Sequence, residues 1–162
     1  MSDTAVAEEG VSVVDFRNDT RIHIGLRTSD LDGAIRFYTL LLGAAPVKVK
    51  DDYAKWETDD PSVNLSLSAG GTGKAAGGVH YGVLVKSTAA VEAAKERFEK
   101  AGVSFHSEDE TVCCYALQDK FWISDPDGNE WEFFVVLGDS ESFHGGEEST
   151  CCQPEDDRET CC

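Results

Sequence analysis

The sequence predicts an α+β fold made of two tandem β-α-β-β-β modules, and three observations carry that expectation. Two segments 57 residues apart contain the same His-x-Gly triplet inside an alternating apolar run, at His23 and His80. Each is followed by an amphipathic stretch with helix start and stop signals, then by short strand-like runs. A glycine-rich segment, residues 69–78, separates the halves. Internal self-similarity of this kind marks one structural unit used twice.

The first module opens with Arg21-Ile22-His23-Ile24-Gly25-Leu26-Arg27, in which Ile22, Ile24 and Leu26 alternate with polar residues and glycine. That period of two predicts a strand with an apolar back and a polar front. Asp30 is a good N-cap for a helix over 31–42, whose Leu31, Ile35, Tyr38 and Leu42 recur at helical spacing, and Gly43 is its stop. Three strands are expected to follow, near 46–50, 53–58 and 63–68.

The second module repeats the order. Residues 79–85 read as a strand and 88–101 as a helix with Val91, Ala94, Phe98 and Ala101 on one face, ended by Gly102. Further strands are expected at 103–106, 112–117, 120–124 and 131–137. Asp125-Pro126-Asp127-Gly128 has proline and glycine where a tight reversal wants them. In the separating segment, Gly73-Lys74 superficially fits a phosphate loop, but Ala75 stands where a serine or threonine is required, so a linker is expected.

Charge narrows the partners. The formal net charge is −17, concentrated at the ends: five acids and one base in residues 1–20, eight acids and one base in 139–162. Both ends are expected to be disordered and solvated. A chain this acidic repels phosphate backbones and anionic membranes, which argues against a nucleic-acid or membrane partner. No segment has the charged start and apolar core of a signal peptide, and a cytoplasmic location is expected.

All six cysteines fall in adjacent pairs: Cys113-Cys114, Cys151-Cys152 and Cys161-Cys162. Secreted scaffolds space their cysteines to staple loops, whereas paired thiols suit capture of a soft ion in a reducing compartment. A disulfide within a vicinal pair is disfavoured, because consecutive α-carbons lie only about 3.8 Å apart. Two adjacent strand residues also point to opposite faces, so Cys113 and Cys114 act together only at a strand end or bulge. The two tail pairs sit among acids that raise thiol pKa values and slow their reaction.

Three further residues are candidates for a metal. His23 and His80 hold equivalent places in the two modules, and a metal site needs imidazoles converging from separate strands. Glu132, in Trp131-Glu132-Phe133-Phe134, is a carboxylate in apolar surroundings and wants a cation. Glu130 shares its face but adjoins the turn and ranks second. His106 and His144 have no matching partner and read as surface residues.

Together, the duplicated modules, a histidine in the first strand of each, and Asp125-Pro126-Asp127-Gly128-Asn129 shortly before Glu132 resemble the vicinal oxygen chelate superfamily of glyoxalases, extradiol dioxygenases and antibiotic-resistance proteins. The resemblance covers residues 21–138, as modules 21–68 and 79–138. It implies a glyoxalase-like half-barrel. Within the superfamily, Cys113-Cys114-Tyr115-Ala116 followed by Gln118-Asp119-Lys120-Phe121-Trp122 resembles the carbon–arsenic lyases, relatives of which carry the label cadmium-induced. This implies iron(II) at His23, His80 and Glu132, with nickel, manganese or zinc as alternatives, and dioxygen as co-substrate. It also implies that Cys113 and Cys114 bind the arsenic of a trivalent organoarsenical such as methylarsenite or a reduced aromatic arsenical. The protein is expected to be a monomer or homodimer. The competing readings are a thiol protein that sequesters cadmium or arsenicals without turnover, and an extradiol-type dioxygenase.

Overall fold

A computed structural model describes residues 16, 17, 19–75 and 79–142. The expected disordered ends, the last residues of the linker, His144 and the four tail cysteines therefore lie outside the described residues.

The element order is β1 (Ile22–Thr28), α1 (Leu31–Leu42), β2 (Lys48–Lys50), β3 (Tyr53–Asp59), β4 (Ser62–Ala69), β5 (His80–Leu84), α2 (Thr88–Lys100), β6 (His106–Cys113), β7 (Ala116–Ser124) and β8 (Glu130–Asp139). These form two four-stranded sheets of the same topology, β1-β4-β3-β2 and β5-β8-β7-β6. In each, the first strand pairs in parallel with the last and the other pairings are antiparallel.

Local signals set both helices. The Asp30 carboxylate accepts from Gly33 N at 2.9 Å, and Gly43 closes α1 in the left-handed region at φ 64°. Ser87 caps α2 in the same way through Ala90 N, and Gly102 follows its end at φ 72°.

One hydrophobic core joins the modules. It takes Phe37, Tyr38 and Leu41 from α1, Trp56 and Leu65 from the first sheet, Phe98 from α2, and Phe121, Trp131 and Phe133 from the second. Alternation leaves the opposite face of each sheet open, carrying His23, Gly25, Asn64 and Ser66 on the first and His80, Gly82, Glu132, Trp122 and Lys120 on the second.

The Asp-Pro-Asp-Gly-Asn turn is a cross-module clamp as well as a reversal. Asp125 accepts from Asp127 N, Asn129 N and Asn129 Nδ2 in its own turn, and from Tyr38 Oη at 2.7 Å in the other module. Burial and the neighbouring Asp125 carboxylate push the Tyr38 hydroxyl far above the ordinary tyrosine pKa, so it remains a donor. Asp127 accepts from Ser29 N and Ser29 Oγ, both at 2.8 Å, at the β1–α1 junction. The described part of the glycine-rich segment is likewise tied down, with Gly71 N on Thr28 O and Ala75 N on Asp127 O.

Two expectations need correction. Residues 103–105 are not a strand; the edge strand begins at His106. Residues 112–117 are not one strand but the end of β6, a two-residue turn and the start of β7. Cys114 and Tyr115 both take positive φ, 56° and 63°, the conformation of a type I′ hairpin turn, which usually carries asparagine and glycine. Without those residues the turn left no recognisable signal in the sequence.

Candidate functional site

That turn resolves how neighbouring thiols come together. Cys113 is the last residue of β6, paired across the hairpin with Ala116, and Cys114 is the first residue of the turn. The left-handed backbone at Cys114 breaks the strand alternation and brings the two sulfurs to 3.3 Å. Neither is in a disulfide; Cys113 is buried at 1% exposure and Cys114 is exposed. Gln118 Nε2 donates to Cys113 O at 3.0 Å and Ser140 N to Tyr115 O at 2.8 Å, so the tip is held from both sides.

On the same sheet His80 and Glu132 converge, with Nε2 and Oε1 3.7 Å apart on adjacent strands. Gly82 leaves room for this. A Cβ there would lie 3.1 Å from Glu132 Cγ and 3.1 Å from the Phe134 ring, so a larger residue would push these side chains aside by a few tenths of an ångström. The glycine of the first His-x-Gly is less constrained, with its nearest contacts at 3.5 and 3.6 Å.

His23 lies on the open face of the first sheet. Its Nδ1 is 3.1 Å from Asn64 O and 3.2 Å from Asn64 Oδ1. Both partners are oxygens, so Nδ1 carries the proton and Nε2 keeps the lone pair a metal would use. Among the described residues no group of three or more His, Cys, Asp or Glu side chains is placed to hold a metal ion. The chain thus pairs His80 with Glu132, and His23 is not grouped with them. Glu130 is exposed, opposite His80 in the register.

Sequence reasoning missed Lys120, the most deeply buried charge of the site at 1% exposure. Its Nζ lies 3.6 Å from Glu132 Oε2, 3.8 Å from Glu108 Oε2 and 5.0 Å from the centre of the Trp122 ring. The lysine thereby balances two carboxylates that burial would otherwise penalise. His106 is exposed, as expected of a surface residue, and its Nε2 lies 3.8 Å from Glu108 Oε1. The available signal was the place of Lys120 in an alternating strand, on the same face as Trp122.

The two halves of the site are separated along the sheet. Glu132 pairs with Trp122 and Cys113 with Ala116, six residues apart on β7 and therefore roughly 20 Å of strand. Two ladder irregularities lie between them: Glu108/Thr111 in the β6–β7 ladder, with Glu110 at φ 48°, and Leu117/Gln118 in the β7–β8 ladder. Asp119 braces this region, accepting from Thr88 Oγ1 at 2.6 Å and from Glu110 N at 2.8 Å. Those bonds hold its carboxyl below the usual range.

Residues 20–133 match the profile of the Glyoxalase/Bleomycin resistance protein/Dioxygenase superfamily. The chain belongs to that superfamily. Solved members share the fold: a superfamily protein from Alicyclobacillus acidocaldarius superposes with a TM-score of 0.60 at 19% identity, covering 75% of this chain and 96% of that one. Closer in sequence is a trivalent organoarsenical cleaving enzyme of Bacillus sp. strain MD1, 45% identical over 86% of this chain and 88% of that protein. The Thermomonospora curvata protein of the same name is 38% identical over 85% and 91%. A cadmium-induced protein of Mycobacterium bovis is 39% identical over 82% and 93%.

Proposed function

We propose that this superfamily member cleaves the carbon–arsenic bond of trivalent organoarsenicals and releases inorganic arsenite, in an iron(II)-dependent reaction that consumes dioxygen. The observation that carries the reading is the Cys113–Cys114 pair, whose sulfurs are already 3.3 Å apart on a two-residue turn. A soft, trivalent arsenic that exchanges its hydroxyls for thiolates is a natural occupant of such a pair. The names of the organoarsenical-cleaving relatives point the same way.

By chemical type, and with His23 brought to His80 and Glu132, the donor set suits a borderline divalent ion. Two imidazoles and one carboxylate suit ferrous iron and also nickel, manganese and zinc. His80 and Glu132 would hold it, and His23, with Nε2 as its open nitrogen, would be the third ligand. Ferrous iron in such a set supplies the electrons that activate dioxygen. The remaining work belongs to the chain. Cys113 and Cys114 fix the arsenic, the turn orients its organic group, and Lys120 holds the Glu132 carboxylate in place. Fixing one reactant on the protein in this way is worth several kcal/mol, up to about 7 to 11 in ideal cases. Productive contact requires the separation between the hairpin tip and Glu132 to be bridged.

That separation also favours a second reading, in which the thiols sequester arsenical or cadmium without turnover. One experiment decides. Protein reconstituted anaerobically with iron(II) is given methylarsenite, then air, and the arsenic species are separated. Arsenite appearing with dioxygen uptake supports the lyase; unchanged methylarsenite retained by the protein supports sequestration.

A further inference from the structure

We infer that the two cysteine pairs beyond the second sheet, Cys151-Cys152 and Cys161-Cys162, receive the inorganic arsenite formed at Cys113–Cys114 and clear the turn for the next substrate. Their ligand is trivalent arsenic with three exchangeable positions, as against the two of an organoarsenical. The inference rests on the organoarsenical reading of Cys113 and Cys114.

The chain leaves the second sheet beside the dithiol turn. Asp139, the last residue of β8, pairs with Ala116, the residue that follows the turn. Ser140 N donates to Tyr115 O at 2.8 Å, and Ser142 N donates back to Ser140 Oγ at 3.2 Å. Residues 143–162 lie outside the described residues, and covalent length bounds what they reach. Cys151 is nine residues beyond Ser142 and Cys161 nineteen, which allows spans of up to about 30 Å and about 60 Å. Both pairs can therefore meet the turn from which the tail departs. A tether of this length makes the encounter intramolecular, at an effective concentration that reaches the millimolar range.

Valence separates substrate from product. A trivalent organoarsenical has two hydroxyls to exchange. Each thiol forms one As–S bond and releases one water, so Cys113 and Cys114 use both positions. Loss of the organic group leaves a hydroxyl in its place, and the bound product has a third position open to a thiol. Cys113 and Cys114 are the only cysteines among the described residues, so a third sulfur from this chain comes from the tail. Its attack forms a third As–S bond and releases water; arsenic stays trivalent and no electrons are exchanged. Two further tail thiols then displace Cys113 and Cys114, each departing sulfur taking the proton of the thiol that replaces it. The four tail thiols suffice for the three bonds. The turn offers arsenite two bonds and the tail three, so arsenite moves outward. Methylarsenite gains no bond by moving. It stays where the sulfurs already stand 3.3 Å apart and the ordering cost of chelation is met in advance. Eight acids against one base over residues 139–162 lower the thiolate fraction of the tail pairs, which leaves incoming substrate to the turn.

The test uses the full chain, iron-free, reduced and anaerobic, with sodium arsenite and methylarsenite as separate probes. One variant carries Cys151→Ser, Cys152→Ser, Cys161→Ser and Cys162→Ser together, and thermal melting verifies that it folds. Dissociation constants are compared, and iodoacetamide with mass spectrometry shows which cysteines one equivalent of each probe protects. The variant is expected to bind arsenite at least tenfold more weakly and methylarsenite within twofold of the unaltered chain. In the unaltered chain arsenite should protect three tail cysteines per arsenic and leave Cys114 open to alkylation, whereas methylarsenite should protect Cys114. Equal weakening of both probes overturns the inference and makes the tail a general thiol store. Unchanged binding of both also overturns it, as does arsenite that protects Cys114 in the unaltered chain. Failure of the iron(II)-loaded protein to convert methylarsenite defeats the lyase reading alone, because both dissociation constants are read without turnover.

Discussion

Cys113 and Cys114 hold their sulfurs 3.3 Å apart although the first is buried and the second exposed. The asymmetry predicts a sequence of reaction. Iodoacetamide should alkylate Cys114 first and Cys113 much more slowly, as mass spectrometry of partly labelled protein would show. Prior addition of phenylarsenite should protect both. Cys114→Ser should abolish turnover and weaken arsenical binding at least tenfold, about 1.4 kcal/mol, while leaving metal binding intact. Normal turnover in that variant would remove the dithiol from the mechanism.

Tyr115 adopts φ 63° without being glycine. A side chain in this region costs of order 1–3 kcal/mol, more than the entropic disadvantage of glycine. Tyr115→Gly should therefore stabilise the fold by about 1 kcal/mol, a rise of roughly 2–4 °C in Tm for a chain of this size. A lower Tm would mean that the tyrosine ring packs well enough to outweigh the strain.

The hydroxyl of Tyr38 ties α1 to Asp125 across the module boundary. Tyr38→Phe removes a buried hydrogen bond to a carboxylate and also the acceptor used by Trp131 Nε1. The expected cost is about 2 kcal/mol, within the range for bonds to charged partners. Urea denaturation would measure it, and a cost below about 0.5 kcal/mol would show that the clamp contributes little.

Gly82 and Gly25 are equivalent in the repeat but not in their surroundings. Alanine at 82 meets Glu132 and Phe134 at about 3.1 Å, whereas alanine at 25 has ordinary contacts. Gly82→Ala should weaken binding of cobalt(II), used as a spectroscopic probe, by roughly 10- to 100-fold, the usual effect of disturbing the support of a ligand. Gly25→Ala should weaken it less. Equal effects would sink the assignment of Glu132 as a ligand held in place over Gly82.

Acid should loosen the module junction. Burial alone raises the Asp127 carboxyl pKa, but hydrogen bonds from Thr28, Ser29 and Gly73 outweigh it and hold the group below the usual range. Asp119 is lowered by Thr88 and Glu110. A folded pKa below the unfolded value of about 3.9 means that the unfolded chain binds more protons in the window between the two. Stability from these groups is therefore full above that value and is lost as pH falls through the folded pKa values. Urea midpoints should be flat from pH 7 to 5 and fall below about pH 4, with a shallower fall in Asp127→Asn.

The sequence by itself determined the repeated module, both helices with their caps, and most strands. These follow from local causes: alternation, helical periodicity, Asp30 and Ser87 as acceptors for free amides, and Gly43 in a left-handed cap. It also singled out Cys113, Cys114, His23, His80 and Glu132, because their side-chain chemistry is costly to leave unused. Only the tertiary structure decided how those residues are distributed. The dithiol turn was illegible because Cys114 and Tyr115 are held in positive φ by the strands on either side, not by their own preference. Lys120 became visible only when β6, β7 and β8 lay side by side and placed Glu108 and Glu132 around it. The clamp formed by Asp125 and Asp127 depends on α1 and β1 packing against a turn about a hundred residues away. Contacts between distant segments are set by burial of the shared core, which no local pattern encodes.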